Sequence, residues 1–385
     1  MEYDFDQVVN RLNTHSIKWD AYPPDVLPMW IADMDLQTPP AVMQALEKRL
    51  QHGIFGYESD YQELKQVFVQ WAVEHYSWQI SEEEIVIIPG VVTGLNLAVQ
   101  SLGQPGDGLL IQTPVYPPFF EIAPHAGMVT VASPLAAYTD GYYAIDIEKL
   151  ESAITPQTRF LILCNPHNPV GRVFSKNELA AIADVCVRKD LIIISDEIHC
   201  DFLFNDRHHT PIASLGQQMA ERTVTLMAPS KTFNIAGLKC SFMIIQNDHL
   251  RSKIASGKNG LVGCPSVLSL EAAWAAYAQG ADWLRQVLLY LQANRDLLVS
   301  HIRQEIPRIK IFSPEATYLA WLDCRDFADQ VNPCEYFLNE AKIAFNDGKA
   351  FGSGGEGFIR MNFGCPRSVL EEALDRMKKA VFKLD

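Results

Sequence analysis

Four short runs, Ile85–Ile88, Leu109–Thr113, Arg159–Cys164 and Leu191–Ser195, are apolar almost throughout, without alternation of polar and apolar positions. A strand with one wet face alternates, so continuous runs of this length mark strands buried on both faces. Helix-forming stretches lie between them. One leads from Pro89 and Gly90 to Leu102. Another follows a capping box, Ser175 with Glu178, and carries Leu179, Ile182, Ala183 and Cys186 on one face. This alternation predicts an α/β fold, with a mostly parallel sheet covered by helices on both faces in a three-layer αβα arrangement. Ligands of such sheets bind beyond the carboxyl ends of the strands, so the segments after each run are where chemistry is expected.

The texture differs at both ends of the chain. Residues 1–40 are rich in Pro, Trp and Asp and read as irregular, and helices are expected at 40–52 and 60–77. Beyond Gly280 a long helix is expected over 282–305, then strands near 309–312 and 317–323, a helix near 333–343, a strand over 357–363 and a last helix over 367–383. At 385 residues the chain exceeds what one core serves, so two domains are expected. The large one spans 41–281, and a smaller α+β domain combines 1–40 with 282–385.

A formal net charge of −14 repels phosphate backbones and disfavours a nucleic-acid partner. Eight scattered cysteines without a Cys-x-x-Cys pair read as reduced thiols, not a disulfide frame. The acidic stretch Met1–Asp6 lacks the apolar core of a secretory signal, and no apolar run is long enough for a membrane span. A cytoplasmic protein is the expectation.

Four segments at strand ends hold candidate chemistry. In Pro89–Gly94 a strand turns into a helix, and the free N–H groups of Val91 and Val92 suit a phosphate, although an ordinary strand–helix turn has the same form. Asn165–Gly171 has two prolines and a glycine, a rigid loop able to aim the Asn168 amide. Asp196 leaves a buried strand and needs a cation, which a salt bridge, a helix cap or a protonated ring nitrogen would satisfy. Ser230, Lys231 and Lys239 lie among small and apolar residues, where a lysine with a lowered pKa can form a Schiff base.

In order and spacing these segments resemble the fold-type I enzymes of the class I/II aminotransferase group, which use pyridoxal 5′-phosphate (PLP). The resemblance covers nearly the whole chain. Lys18–Asp20, Met29–Asp35, Ser230–Lys239 and Arg360–Ser368 are more similar still to the MalY/PatB-type carbon–sulfur β-lyases. It implies an aspartate aminotransferase-like fold with PLP carried on Lys231. Asp196 then pairs with the pyridine N–H, Asn168 bonds the ring hydroxyl oxygen, and Tyr116 stacks on the ring. Val91, Val92, Ser230 and Lys239 take the phosphate. Arg360 grips the substrate carboxylate, and Tyr57 reaches the phosphate of a neighbouring subunit, which implies a homodimer with shared sites.

The pattern departs from many aminotransferases in two places: His199 stands where a Tyr is usual, and Lys239 where an Arg is. No second Arg for a distal substrate carboxylate is identifiable, which disfavours a dicarboxylate-specific transaminase. Gly352–Gly357 matches G-x-G-x-x-G but precedes a strand, so a flexible turn near the substrate mouth is expected in place of a dinucleotide site. His199, Cys200, Asp201, His208 and His209 fit no zinc spacing, and no metal is expected. The resemblance points first to a lyase acting on cystathionine or similar S-substituted cysteines, and second to an aminotransferase of broad amino-acid specificity. A PLP-binding regulatory protein of low turnover is third, and no helix-turn-helix region supports a DNA-binding regulator.

Overall fold

The computed structural model describes residues 3–328 and 331–384; residues 1, 2, 329, 330 and 385, all in the expected small domain, lie outside them. The large sheet has seven strands: β1 (Ile85–Ile88), β2 (Gly108–Thr113), β3 (Val129–Pro134), β4 (Thr158–Cys164), β5 (Ile192–Asp196), β6 (Thr223–Met227) and β7 (Ser241–Ile244). Their order is β1-β7-β6-β5-β4-β2-β3, and only β7 runs antiparallel to its neighbours. Every residue of β2, β6 and β7 is buried, as strands between two helical layers must be.

Helix Val91–Leu102 packs Val91, Leu95, Ala98 and Val99 with Leu109, Ile111, Ile162 and Ile194 on one face of the sheet. On the other face, helix Lys176–Arg188 presents Leu179, Ile182, Ala183 and Cys186 to Leu110, Leu161 and Ile193. The capping box at its start is present: Ser175 Oγ accepts from the Glu178 amide, and Glu178 Oε2 accepts from the Ser175 amide.

A second, four-stranded antiparallel sheet comprises β8 (Lys310–Ile311), β9 (Leu319–Asp323), β10 (Asn346–Asp347) and β11 (Phe358–Asn362), in the order β8-β9-β11-β10. Helices Ala281–Glu305 and Arg367–Val381 share a core with it, through Leu291, Leu298, Leu370 and Met377 against Leu319, Leu322 and Ile359.

Several details differ from the sequence expectation. The helix expected over 333–343 is α-helical only to Tyr336, continues as a π-type turn over Phe337–Ala341, and stops at Lys342 in the left-handed region (φ 54°). Ile343–Ala344 then pairs in parallel with Leu27–Pro28, which ties the irregular N-terminal stretch into the fold. Strands β3, β6 and β7 were not anticipated: β6 carries Thr223 and Thr225, β7 has four residues, and β3 is a largely exposed edge strand ending in Pro134. The glycine-rich turn is a packed wedge. A Cβ at Gly348 would collide with the carbonyl oxygens of Gly355 and Phe358, and one at Gly352 would collide with the Phe120 ring.

Candidate active site

The sheet delivers the candidate residues to one place. Asp196 is the last residue of β5, and the Asn165–Gly171 loop follows β4. The short helix Pro229–Thr232, which contains Lys231, follows β6, while Gly90 joins β1 to helix Val91–Leu102. Gly90 has φ +128°, a conformation open to glycine and costly for other residues. These ends surround a cleft of about 540 Å³ lined by Val91, Val92, Tyr116, Asn168, Asp196, His199, Ser230, Lys231, Lys239 and Arg360. Among the candidates only Tyr57 is outside it, fully exposed on the coil between helices Pro40–His52 and Gln62–Tyr76.

Asp196 is buried, and burial, with the nearby Glu197 charge, lifts its carboxyl to about 7. Its Oδ1 accepts from the Ile198 amide at 3.1 Å, and it forms no ion pair among the described residues. Lys231 is pushed the other way, to about 8, chiefly by desolvation and further by the Arg360 charge, against the opposing pull of Asp33 and Asp196. Its Nζ donates to the Ala32 carbonyl. Burial and the charges of Lys231 and Arg360 keep His199 well below the usual imidazole range, so the ring is neutral, and its Nδ1 is buried without a hydrogen-bond partner among the described residues.

Arg360 on β11 is buried and makes no ion pair with a carboxylate among the described residues. Its Nη1 donates to Asn168 Oδ1 at 2.9 Å, and its Nη2 donates to Asn346 Oδ1 at 2.6 Å and to the Trp30 carbonyl at 3.1 Å. The Phe351 ring lies 4.9 Å from the guanidinium carbon. Desolvation lowers its pKa to about 10, and it remains a cation at neutral pH. A buried guanidinium held only by neutral oxygens is electrostatically incomplete, and a carboxylate would complete it. Tyr116 is raised above the ordinary phenol range by burial and by Asp196, so it stays protonated.

The donor set fits the cofactor that the resemblance implies. A buried acid lifted toward neutrality accommodates a ring cation, the unpartnered His199 Nδ1 accommodates a polar ring substituent, and a depressed lysine faces the same space. The amide ends at Val91 and Val92, with Ser230 and Lys239, offer donors and positive charge to a phosphate.

Sequence reasoning missed the strap Met29–Leu36 that closes this cleft. Asn362 Nδ2 holds the Ile31 and Asp33 carbonyls, each at 2.7 Å. Asn234 pairs with Met34 N and O and with the Leu36 carbonyl. Arg11 and Lys18 pair with Asp33 and Asp35. Tyr318 donates to the same Ala32 carbonyl that Lys231 reaches, at 3.0 Å. The string Met29–Asp35 was conspicuous, but nothing in it announced that backbone carbonyls were its working groups. Asn346, two residues before Gly348, carried no signal of its contact with Arg360.

A family model described as aminotransferase class I and II matches residues 24–377. Cystathionine beta-lyase PatB of Bacillus subtilis (strain 168) is 39% identical over 387 residues, covering 98% of this chain and 100% of that protein. Protein MalY of Escherichia coli (strain K12) is 34% identical over 391 residues, covering 98% and 99%. The crystal structure of cystalysin from Treponema denticola, which contains a pyridoxal 5′-phosphate cofactor, superposes with a TM-score of 0.96 at 35% identity over 100% of both chains.

Proposed function

We propose that this chain, which belongs to the aminotransferase class I and II family, is a PLP-dependent carbon–sulfur β-lyase. It cleaves cystathionine or related S-substituted cysteines to a thiol, pyruvate and ammonia. The reaction type is supported by relatives at 32–39% identity named as cystathionine beta-lyases. In this chain, the carrying observation is the buried Arg360, without a carboxylate partner among the described residues, lining the cleft that Lys231 and Asp196 line.

Arg360 takes the substrate α-carboxylate in its fork and fixes the amino acid over the cleft. Asn168, its Oδ1 engaged by Arg360, has its NH2 left to hold the cofactor's ring oxygen, with His199 beside it. Asp196 would pair with the ring nitrogen as a buried carboxylate, and Tyr116 would stack on the ring. Val91, Val92, Ser230 and Lys239 hold the phosphate. When bound, PLP supplies an electron sink for the pair left at the substrate Cα. Lys231 would hold the cofactor, and its Nζ, freed when substrate is bound, would be the base that takes the Cα proton. A pKa near 8 leaves part of this amine uncharged at neutral pH. The Cα pair would then close to a Cα=Cβ bond as the Cβ–S bond breaks with its pair on sulfur, the proton held by Lys231 would pass to the thiolate, and water would hydrolyse the released enamine to pyruvate and ammonia.

A homodimer with shared sites is part of this reading. Ile54, Phe55 and Tyr57 are exposed together on one coil, an apolar stretch that a second subunit covers, and Tyr57 is assigned to that subunit's phosphate site. The domains are taken as 41–281 and as 1–40 with 282–385. All eight cysteines are free, in keeping with a cytoplasmic enzyme.

The test is pyruvate release from L-cystathionine by the purified, PLP-loaded protein without an oxo-acid acceptor. Sustained release is expected. No release from protein with bound PLP would overturn the lyase reading and leave an aminotransferase, which consumes an acceptor.

A further inference from the structure

We propose that Asp201 is a positioning residue of the catalytic centre: through Thr232 it fixes the backbone that carries Lys231 against the turn that carries Asp196 and His199. The proposal rests on the assignment of Lys231 as the cofactor lysine.

Asp201 is a buried carboxylate that forms no ion pair among the described residues. Leaving an anion in such a place is costly unless donors surround it. Three side chains do so. Thr232 Oγ1 donates to its Oδ2 at 2.6 Å, while Tyr76 OH and Trp71 Nε1 donate to its Oδ1 at 2.5 and 3.2 Å. A carboxylate can accept all three, and its charge strengthens each.

The elements that meet here are those whose relative position matters. Asp201 lies in the turn leaving β5, which is closed by the Cys200 amide on the Glu197 carbonyl and the Phe202 amide on the His199 carbonyl, each at 3.0 Å. Thr232 is fully buried and follows Lys231 directly in the short helix Pro229–Thr232. Ser230 and Lys231 line the cleft, so Thr232 is the residue that can be held from behind. Tyr76 and Trp71 anchor the same carboxylate to helix Gln62–Tyr76. One anion thus joins the lysine wall of the cleft to its Asp196 wall and to the helix behind them. Asp201 is not among the residues that line the cleft. Its effect is on where the Lys231 amine stands.

The experiment replaces Thr232→Val, which removes the hydroxyl at nearly constant shape, with Thr232→Ser as the variant that keeps it. In PLP-loaded protein, T232V lowers kcat roughly ten- to hundred-fold while KM stays within about twofold, the pattern of a misplaced reacting group. It also shifts the pH midpoint of the visible absorbance of bound cofactor, and T232S stays at the wild-type level in both. A folded T232V protein with wild-type kcat and midpoint overturns the proposal. If T232V does not accumulate folded, Thr232→Ala and Asp201→Asn are read by the same two quantities, with the same outcomes. Borohydride, which fixes a carbon–nitrogen double bond on a lysine as an amine, followed by peptide mapping, separates the two ways to fail. Cofactor trapped on Lys231 beside an unchanged T232V defeats the brace alone. No cofactor on Lys231 defeats the lysine assignment and the brace with it.

Discussion

The Arg360 guanidinium donates to Asn168 Oδ1 at 2.9 Å, and both side chains are buried. This one hydrogen bond joins the residue assigned to the substrate carboxylate to a residue assigned to the cofactor ring. It also orients the amide, because an oxygen that faces Arg360 leaves the NH2 as the donor for the other side.

Arg360→Ala and Asn168→Ala should therefore differ. R360A should weaken amino-acid binding by about 2–5 kcal/mol, the range for truncating one partner of a buried charge-assisted pair, and leave PLP affinity nearly unchanged. N168A should weaken both, because it removes the ring contact and frees the guanidinium. Substrate titrations and PLP equilibrium on the same preparations decide it. Unchanged substrate affinity in R360A would refute the carboxylate role.

Lys231→Ala should abolish turnover and the absorbance of lysine-linked cofactor. It should leave the fold intact, since among the described residues Nζ hydrogen-bonds only to the Ala32 carbonyl. Thermal melts of the cofactor-free proteins and absorbance after PLP addition test both halves. Retained turnover in K231A would sink the cofactor assignment.

The rate at which cofactor-free protein takes up PLP should follow the uncharged form of Lys231. Desolvation and the Arg360 charge hold this amine down to about 8, so its free base, the nucleophile, accumulates as pH rises and saturates above that value. Stopped-flow absorbance over a pH series checks the profile. A rate still climbing toward the ordinary lysine range would contradict the lowered value.

Asp196 makes the opposite kind of contribution. Burial lifts it from 3.8 to about 7 in the folded chain. Between those values the folded state keeps a proton that the unfolded state has released, so stability falls as pH rises through the window. The contribution is on the order of a few kcal/mol. Urea unfolding of cofactor-free protein should show Asp196→Asn gaining on wild type as pH rises from acid to neutral. A difference that is flat with pH would contradict the burial of this charge.

Much of this was legible because it depends on local pattern. The continuous runs at β1, β2, β4 and β5 announce strands buried on both faces, and topology then puts Asp196, Asn168 and Lys231 at the same edge. The capping box at Ser175 is complete in four residues. What escaped depends on contacts between distant segments. Asn346 and Arg360 are cross-strand partners on β10 and β11. Ala32 acts through a backbone carbonyl, which every residue type has. Asp201 acquires its meaning only when Thr232, Trp71 and Tyr76 converge on it. The Gly352–Gly357 stretch misled because glycine permits a loose turn and a close approach equally well, and only packing tells them apart.

That close approach gives a last prediction. Gly348 and Gly355 face each other so tightly that a Cβ on Gly348 would overlap the carbonyl oxygens of Gly355 and Phe358. These are backbone atoms of the turn and of the first residue of β11, with little freedom to yield. Gly348→Ala must therefore displace the turn and with it Phe351, whose ring lies against Arg360 at 4.9 Å and against Trp321 at 5.3 Å. Overpacking of this kind costs about 1–3 kcal/mol. The melting temperature should fall, and KM for the amino acid should rise as Arg360 loses its support. PLP affinity should hold, because Lys231 and Asp196 hang from the other sheet. Melting curves, steady-state kinetics and PLP titration of G348A test the three together. A loss of PLP affinity as large as the loss of substrate affinity would show that the wedge supports the whole cleft and not the carboxylate grip alone.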